Sequence, residues 1–325
     1  MDIQLAPIVL FVYARPDHTE KCLAALAANS LARSSDLIVY SDGFKDHKDE
    51  KLVEKVRQLV RATTGFASIK LIERAANLGL AKNIMLGLSQ VFEKNIDVIV
   101  LEDDIVCAPG FLTFMNGALR AFKDDDSIWH INGWNYPILA DNLPSVYCSR
   151  TMNCWGWATW RDRWQYLTTR AEYFMQKWTL AQKIQFNQDG SYPFYSHLIS
   201  NYLGERRTWA IYWYASIFDA NGLCITPGKT LTNEIGSDGS GTHGLNEEMY
   251  LSELSQQTSW DFSKNCSFEN LSARRAVVRF NRLHFGILSR FVNTLRLLTP
   301  WWIHCKKNDL DTKSRSKIVF KIKKK

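Results

Sequence analysis

Three carboxylates in a row, Glu102-Asp103-Asp104, follow directly on the apolar run Val98 to Leu101. Adjacent carboxylates repel one another, and a folded chain tolerates them only where positive charge offsets the repulsion. The preceding run is apolar and mostly β-branched, the make-up of a strand buried on both faces. Acid groups at the carboxyl end of such a strand stand where open α/β sheets bind ligands. Their hard oxygens suit Mg2+ or Mn2+, ions usually shared with substrate phosphates. The alternative is a solvated acidic turn ahead of the helix that Pro109 opens.

Other reactive side chains stand in similar places. Arg15 follows the apolar run Ala6 to Tyr13, Asp42 follows Asp36 to Tyr40, and Asn77 follows Ala67 to Ile72. A second group lies in Gly236 to Gly244, where four glycines in nine residues surround Asp238 and His243. Such a segment reads as a lid whose His supplies a ligand or a phosphate contact, or as an exposed linker. Asn153 to Trp160, NCWGWATW, is either a sugar-facing aromatic wall or aromatic core, with Gly156 allowing close backbone approach.

The elements that must hold these residues alternate. Strands at Ala6 to Tyr13, Asp36 to Tyr40, Ala67 to Ile72 and Ile96 to Leu101 are separated by helices. These are predicted at Thr19 to Ala28 (Leu23, Leu26 and Ala27 inward), Lys48 to Thr63 (Leu52, Val56, Leu59 and Val60 inward) and Leu80 to Phe92. That pattern predicts a parallel sheet with helices on both faces and the polar residues on one rim. Pro109 to Phe122 and Trp209 to Phe218 read as helices; Tyr166 to Leu203 is mainly helical; Ile128 to Asn135 reads as a strand running into a loop, and Leu223 to Thr226 as a short strand. No G-x-G-x-x-G or Walker motif follows the first strand, which argues against a dinucleotide-dependent dehydrogenase or a P-loop NTPase. Another device, such as a carboxylate-bound metal, must then hold any phosphates.

The 325 residues are 46% hydrophobic and 22% charged, enough for a sizeable core. The formal charge of +7 is uneven: residues 264 to 325 carry +13 and the rest −6. This argues for one localised anionic partner and against a general nucleic-acid surface. Seven cysteines make no CxxC or Cys/His ligand spacing, so reduced thiols in a cytoplasmic compartment are expected. The N-terminus has no basic segment ahead of its apolar run, unlike a signal peptide, and no uncharged apolar run reaches the roughly 18 residues of a spanning helix. Between Ala273 and Cys305, aromatic and aliphatic residues are interleaved with Arg274, Arg275, Arg279, Arg282, Arg290 and Arg296. This reads as a basic amphipathic helix at an anionic membrane interface, extended by the lysines of KIVFKIKKK, or as a helix packed on the domain.

With these motifs in hand, the chain resembles nucleotide-sugar glycosyltransferases of the GT-A fold. It is similar to the N-acetylglucosaminyltransferases that start complex N-glycan branching and to bacterial relatives used in surface polysaccharide synthesis. The resemblance spans about Pro7 to His243. It rests on LEDDIVCAPGFLTFM, the WGW block and the Gly-rich segment ending in His. It implies an α/β, Rossmann-like, mostly parallel sheet over residues 1–263 (nucleotide half to about 110, acceptor half after it), followed by the basic tail 264–325. It further implies that Asp104 binds Mn2+ or Mg2+, Asp103 faces the ribose and Glu102 the transferred sugar. Asp42 would contact the uracil of a UDP-sugar and Arg15 the base or diphosphate, while the segment around His243 orders over the donor. The family's base is an Asp in a Trp-flanked segment, and the match here, Trp209 to Trp213, has no carboxylate. Asp162 and Asp238 are the candidates to replace it, with Glu205 and Asp219 behind them. The expected activity is inverting sugar transfer from a nucleotide-sugar donor to a glycan or lipid-linked glycan acceptor. The expected location is cytoplasmic, peripheral on the inner face of the cell membrane. A nucleotidyltransferase of the same core and a non-catalytic nucleotide-sugar-binding module are the alternatives.

Overall fold

The computed structural model describes residues 4–138, 143–237, 248–263, 268–285 and 297. Its centre is an eight-stranded sheet in the order β3-β2-β1-β4-β8-β6-β9-β7. Strands β1 (Ile8–Val12), β2 (Asp36–Ser41), β3 (Ser68–Glu73) and β4 (Asp97–Glu102) are mutually parallel. Strand β6 (Ile128–Asn132) is parallel to β9 (Leu223–Pro227), while β8 (Trp157–Trp160) and β7 (Val146–Ser149) run against their neighbours. Strands from both halves of the chain thus share one sheet. Beside it, β5 (Ile105–Cys107) pairs antiparallel with β10 (Thr232–Glu234).

Alternation along the strands explains why both faces are covered. In β1, Ile8, Leu10 and Val12 enter one core, where α1 (Pro16–Ala27), α2 (His47–Ala62) and α4 (Phe111–Ala121) pack. Val9 and Phe11 enter the other, against α3 (Leu80–Val91) and the later helices. Ile99 and Leu101 of β4 divide from Val98 and Val100 in the same way. The inward face of α2 differs from the predicted one: Val53, Val56 and Val60 are buried, Leu59 is half-buried and Leu52 is exposed. The β-branched residues at i, i+3 and i+7 face the sheet, and the leucines lie to one side of that stripe.

The later helices are short: α5 (Arg161–Trp164), α6 (Ala171–Lys177), α7 (Leu180–Phe186) and α8 (Phe194–Tyr202). They gather round α9 (Ala210–Asp219), which is buried over most of its surface. The aromatic block proves largely to be core. Trp157 is fully buried, with its ring stacked on His130 and Trp209 at 5.3 and 5.2 Å. Gly156, at φ +72°, brings its backbone against Phe111 and Thr232, where a Cβ would lie 2.8 Å from the Thr232 methyl.

The described part of the basic tail is helix α10 (Leu271–His284). Its apolar side, with Ala273, Ala276, Val277 and Phe280, is buried against the body. Arg274 pairs with Asp189 and with Glu269, the latter at 2.9 Å. Of the two sequence expectations for these residues, packing on the domain describes the apolar side, which is spent on the protein, while Arg275, Arg279 and Arg282 stay exposed. Among the described residues no helix is long and apolar enough to cross a membrane, and Cys22, Cys107, Cys148, Cys154 and Cys224 are in no disulfide.

Candidate active site

The chain goes from β1 outward to β2 and β3, then returns to add β4 on the other side of β1. The crevice at such a reversal, beyond the carboxyl ends of the strands, is where open α/β sheets place ligands. The residues following β1 and β4 meet there. The Arg15 guanidinium donates to Asp104 Oδ2 at 2.7 Å, and the Tyr13 amide donates to Asp103 Oδ2 at 2.7 Å. Between them Ala14 sits at φ +35°, a left-handed conformation that an alanine adopts at some cost in strain. That turn aims both the amide and the guanidinium at the acids.

Glu102 belongs to the last residue pair of β4 with β1 and lies on the face occupied by α9. The Trp209 indole at the start of that helix lies beside the Glu102 carboxylate and favours the charged form. The Trp-flanked segment therefore does reach the site, and the residue after Trp209 there is Ala210. Burial, then the neighbouring Asp104 and Asp103 charges, push Glu102 well above the usual carboxylate range. Burial and Asp104 also raise Asp103 to about 8, against the opposing pull of the Tyr13 amide and Arg15.

Two residues escaped the sequence reading. Glu234 ends β10, opposite Ile105 and so beside Asp104. It accepts from the Gly236 amide and, at 2.6 Å, from the Ser237 hydroxyl. A Cβ on Gly236 would lie 2.6 Å from Arg15 Nη1, Asp104 Oδ2 and Glu234 Oε1 alike, so these three groups surround one glycine. His18 Nε2 lies 3.2 Å from the Ile235 carbonyl, and the Ile235 amide donates to the Asp104 carbonyl at 2.8 Å. Strand β10 is three residues long and has no sequence pattern of its own; the only available signal was Glu234 standing just ahead of the Gly-rich segment.

The remaining expected residues fall in three places. Asp42 is on the same rim, buried, but its carboxylate already accepts from the amides of Gly43, Leu78 and Gly79 at 2.9 to 3.0 Å. It braces the turn before α3, and Asn77 Nδ2 ties that turn to the Gly43 carbonyl at 2.8 Å. Asp162 does not join the site. Strand β8 runs antiparallel to β4 with Trp160 opposite Asp97, so Asp162 emerges at the other end of β4 from Glu102, where it pairs with Arg163. Its candidacy as base is corrected by this reversal of strand direction. Asp219 is engaged by Lys177 and by the Trp178 indole, and Glu205 is exposed in the turn after α8. Asp238 and His243 lie outside the described residues.

The donor set at this rim is oxygen, with three successive carboxylates faced by the guanidinium of Arg15. Among the described residues no three Asp, Glu, His or Cys side chains converge as a cage for a metal ion. One half-buried carboxylate with acidic neighbours instead fits the mode in which a divalent cation takes a single protein ligand and completes its shell with phosphate oxygens and water.

A solved mannosyltransferase from Pyrobaculum calidifontis, in complex with GDP-Man and Mn2+, is similar over 67% of this chain and 72% of its own, at 11% identity and a TM-score of 0.38. A UDP-glucose pyrophosphorylase complexed with UDP-glucose is similar over 70% of this chain and 92% of its own, at 11% identity and a TM-score of 0.34. Likenesses this distant leave the chemistry to be read from the site itself. The GNT-I family profile matches residues 3–184, more than half of the chain, and takes in β1 to β8, the acidic turn and the aromatic block. The chain belongs to the GNT-I family of GT-A-type glycosyltransferases, enzymes that use nucleotide-sugars.

Proposed function

We propose that this chain transfers a hexosyl group from a UDP-sugar to a hydroxyl of a glycan acceptor, with inversion at the anomeric carbon and with a divalent cation, Mn2+ or Mg2+, held by Asp104. The observation that carries this reading is the convergence of Arg15 and Glu102-Asp103-Asp104 at the switch point of the sheet. When bound, the cation supplies positive charge to the departing diphosphate. Arg15, paired with Asp104, would contribute a second cation to that leaving group, and bidentate geometry suits guanidinium to phosphate. Asp103 faces the ribose and Glu102 the transferred sugar, with the Trp209 indole beside the Glu102 carboxylate. Asp42 shapes the nucleobase floor by bracing the turn before α3.

In the transfer, the acceptor oxygen forms a bond to the anomeric carbon as the bond from that carbon to the phosphate oxygen breaks. The nucleoside diphosphate leaves with the electron pair, and the acceptor hydroxyl loses its proton. In this reading the proton goes to Glu234, the carboxylate that the rim offers beyond the trio. The turn that follows holds it in place, donating from the Gly236 amide and the Ser237 hydroxyl to its two oxygens. Asp238, next in sequence after that turn, and His243, five positions further on, are the remaining candidates for contacts to the donor. The acceptor is a glycan of a surface polysaccharide or glycoconjugate.

The test is calorimetry of Asp104→Ala with UDP-sugars in the presence and absence of Mn2+. Loss of all metal-dependent donor binding is expected. Tight metal-dependent binding by this variant would overturn the assignment, and release of pyrophosphate in place of nucleoside diphosphate by the native chain would favour the nucleotidyltransferase alternative.

A further inference from the structure

With its apolar side docked on the body, α10 still has an outer face. It has no acidic residue in its 14 positions. At about 100° per residue, Leu271, Arg282, Arg275, Arg279 and Leu283 fall on one arc, and all five are exposed. Arg274, at the edge of the arc, is neutralised by Asp189 and Glu269, whereas none of the other three arginines pairs with a carboxylate among the described residues. The arc is flanked by apolar side chains held out in solvent: Phe268 is 86% exposed, Leu283 77% and Leu271 57%. Three uncompensated guanidiniums beside three projecting hydrophobic groups make a surface of two chemistries.

We propose that this outer face of α10 docks the protein on a bilayer surface bearing anionic headgroups. The guanidiniums would meet lipid phosphate and carboxylate groups, while Phe268, Leu271 and Leu283 enter the shallow apolar zone beneath them. A duplex nucleic acid would satisfy the arginines but offers nothing to the three apolar side chains. Docking in this way needs no free helix, because the inner face of α10 stays packed on the body. That inner face also links the helix to the cleft. Phe280 packs on Tyr136 and Tyr250 at 5.6 and 5.8 Å, and Tyr250 packs on Trp155, whose carbonyl accepts from Thr232 of β10. A bilayer held at α10 is thereby fixed relative to the rim that carries Glu234. If the transferase reading holds, the acceptor class follows: a glycan carried on a lipid at that surface.

Sedimentation of the full-length chain with phosphatidylcholine vesicles, with and without phosphatidylserine, tests the docking independently of any transfer activity. Binding is expected only with phosphatidylserine. Each basic residue near an anionic surface changes partition about fivefold, so Arg275→Gln/Arg279→Gln/Arg282→Gln should lower it about a hundredfold at an unchanged melting temperature. Phe268→Ser/Leu283→Ser should lower vesicle binding severalfold without altering any binding to duplex DNA. Equal pelleting with phosphatidylcholine alone overturns the proposal, as does undiminished binding by the arginine variant. Tighter binding to duplex DNA than to the anionic vesicles would assign the face to nucleic acid instead. If the arginine variant folds poorly, the serine pair and the loss of native binding at high salt decide between the same outcomes.

Discussion

The turn Tyr13-Ala14-Arg15 does two jobs at once. Its strained alanine directs an amide to Asp103 and a guanidinium to Asp104. Glu102 and Asp103 themselves oppose folding at neutral pH. Asp103 has its folded pKa raised to about 8, against about 4 in an unfolded chain. The native state therefore holds this proton more tightly, and the stability so gained is complete below about pH 4 and lost as pH rises towards 8. Asp103→Asn removes that dependence while keeping an oxygen for the Tyr13 amide. Urea unfolding without divalent ions should show a flatter pH dependence from 5 to 8 in the variant, with its largest advantage at pH 8. Glu234→Gln should leave donor affinity near native and lower kcat by about 10²- to 10⁴-fold, the usual range for losing a general base; steady-state kinetics that moved KM alone would remove Glu234 from that role. The acids were legible in the sequence because they interrupt an apolar strand. Glu234 was not, because what places it is a three-residue strand pairing with β5 across more than a hundred positions. Asp42 was found for its position, but the three amides that occupy it belong to its own turn and to residues 36 and 37 positions further on.

At the scale of elements, the first half of the fold could be read because each strand is followed by the helix that covers it, so local periodicity suffices. The second half could not, since β6 lies between β8 and β9, and β7 pairs only with β9. Such an order is set by long-range packing of side chains such as Trp157 and Trp213. Asp162 shows the consequence: its residue type was suitable, but the direction of β8 carries it away. Asp162→Asn should leave turnover within about twofold of native, consistent with an exposed carboxylate paired to its neighbour. A large loss of kcat in the same assay would mean that the far rim takes part in the chemistry.

For the molecule as a whole, α10 is a structural member of the body. Burying Phe280 and Val277 with two alanines contributes on the order of several kcal/mol at about 1.5 to 3 for each large side chain. Deleting residues 268 to 325 should therefore lower the melting temperature and expose Tyr136 and Tyr250, seen as increased dye binding or aggregation. A deletion variant as stable as the full chain would show that the helix adds nothing to the fold. The charge contrast between tail and body was plain from composition, but composition could not tell that the helix is docked by its apolar side and turns its arginines outward.

The reversed course of β8 has a practical side. Because Trp157 opens that strand opposite Val100 and Asn132, it is the segment leading into the strand, Asn153 to Gly156, that borders the cleft, whereas in the parallel strands the trailing turns do so. To alter what the proposed acceptor site takes, positions 153 to 155 are the ones to randomise and 161 to 164 the ones to leave alone, since the second set lies a full strand length from the acidic rim.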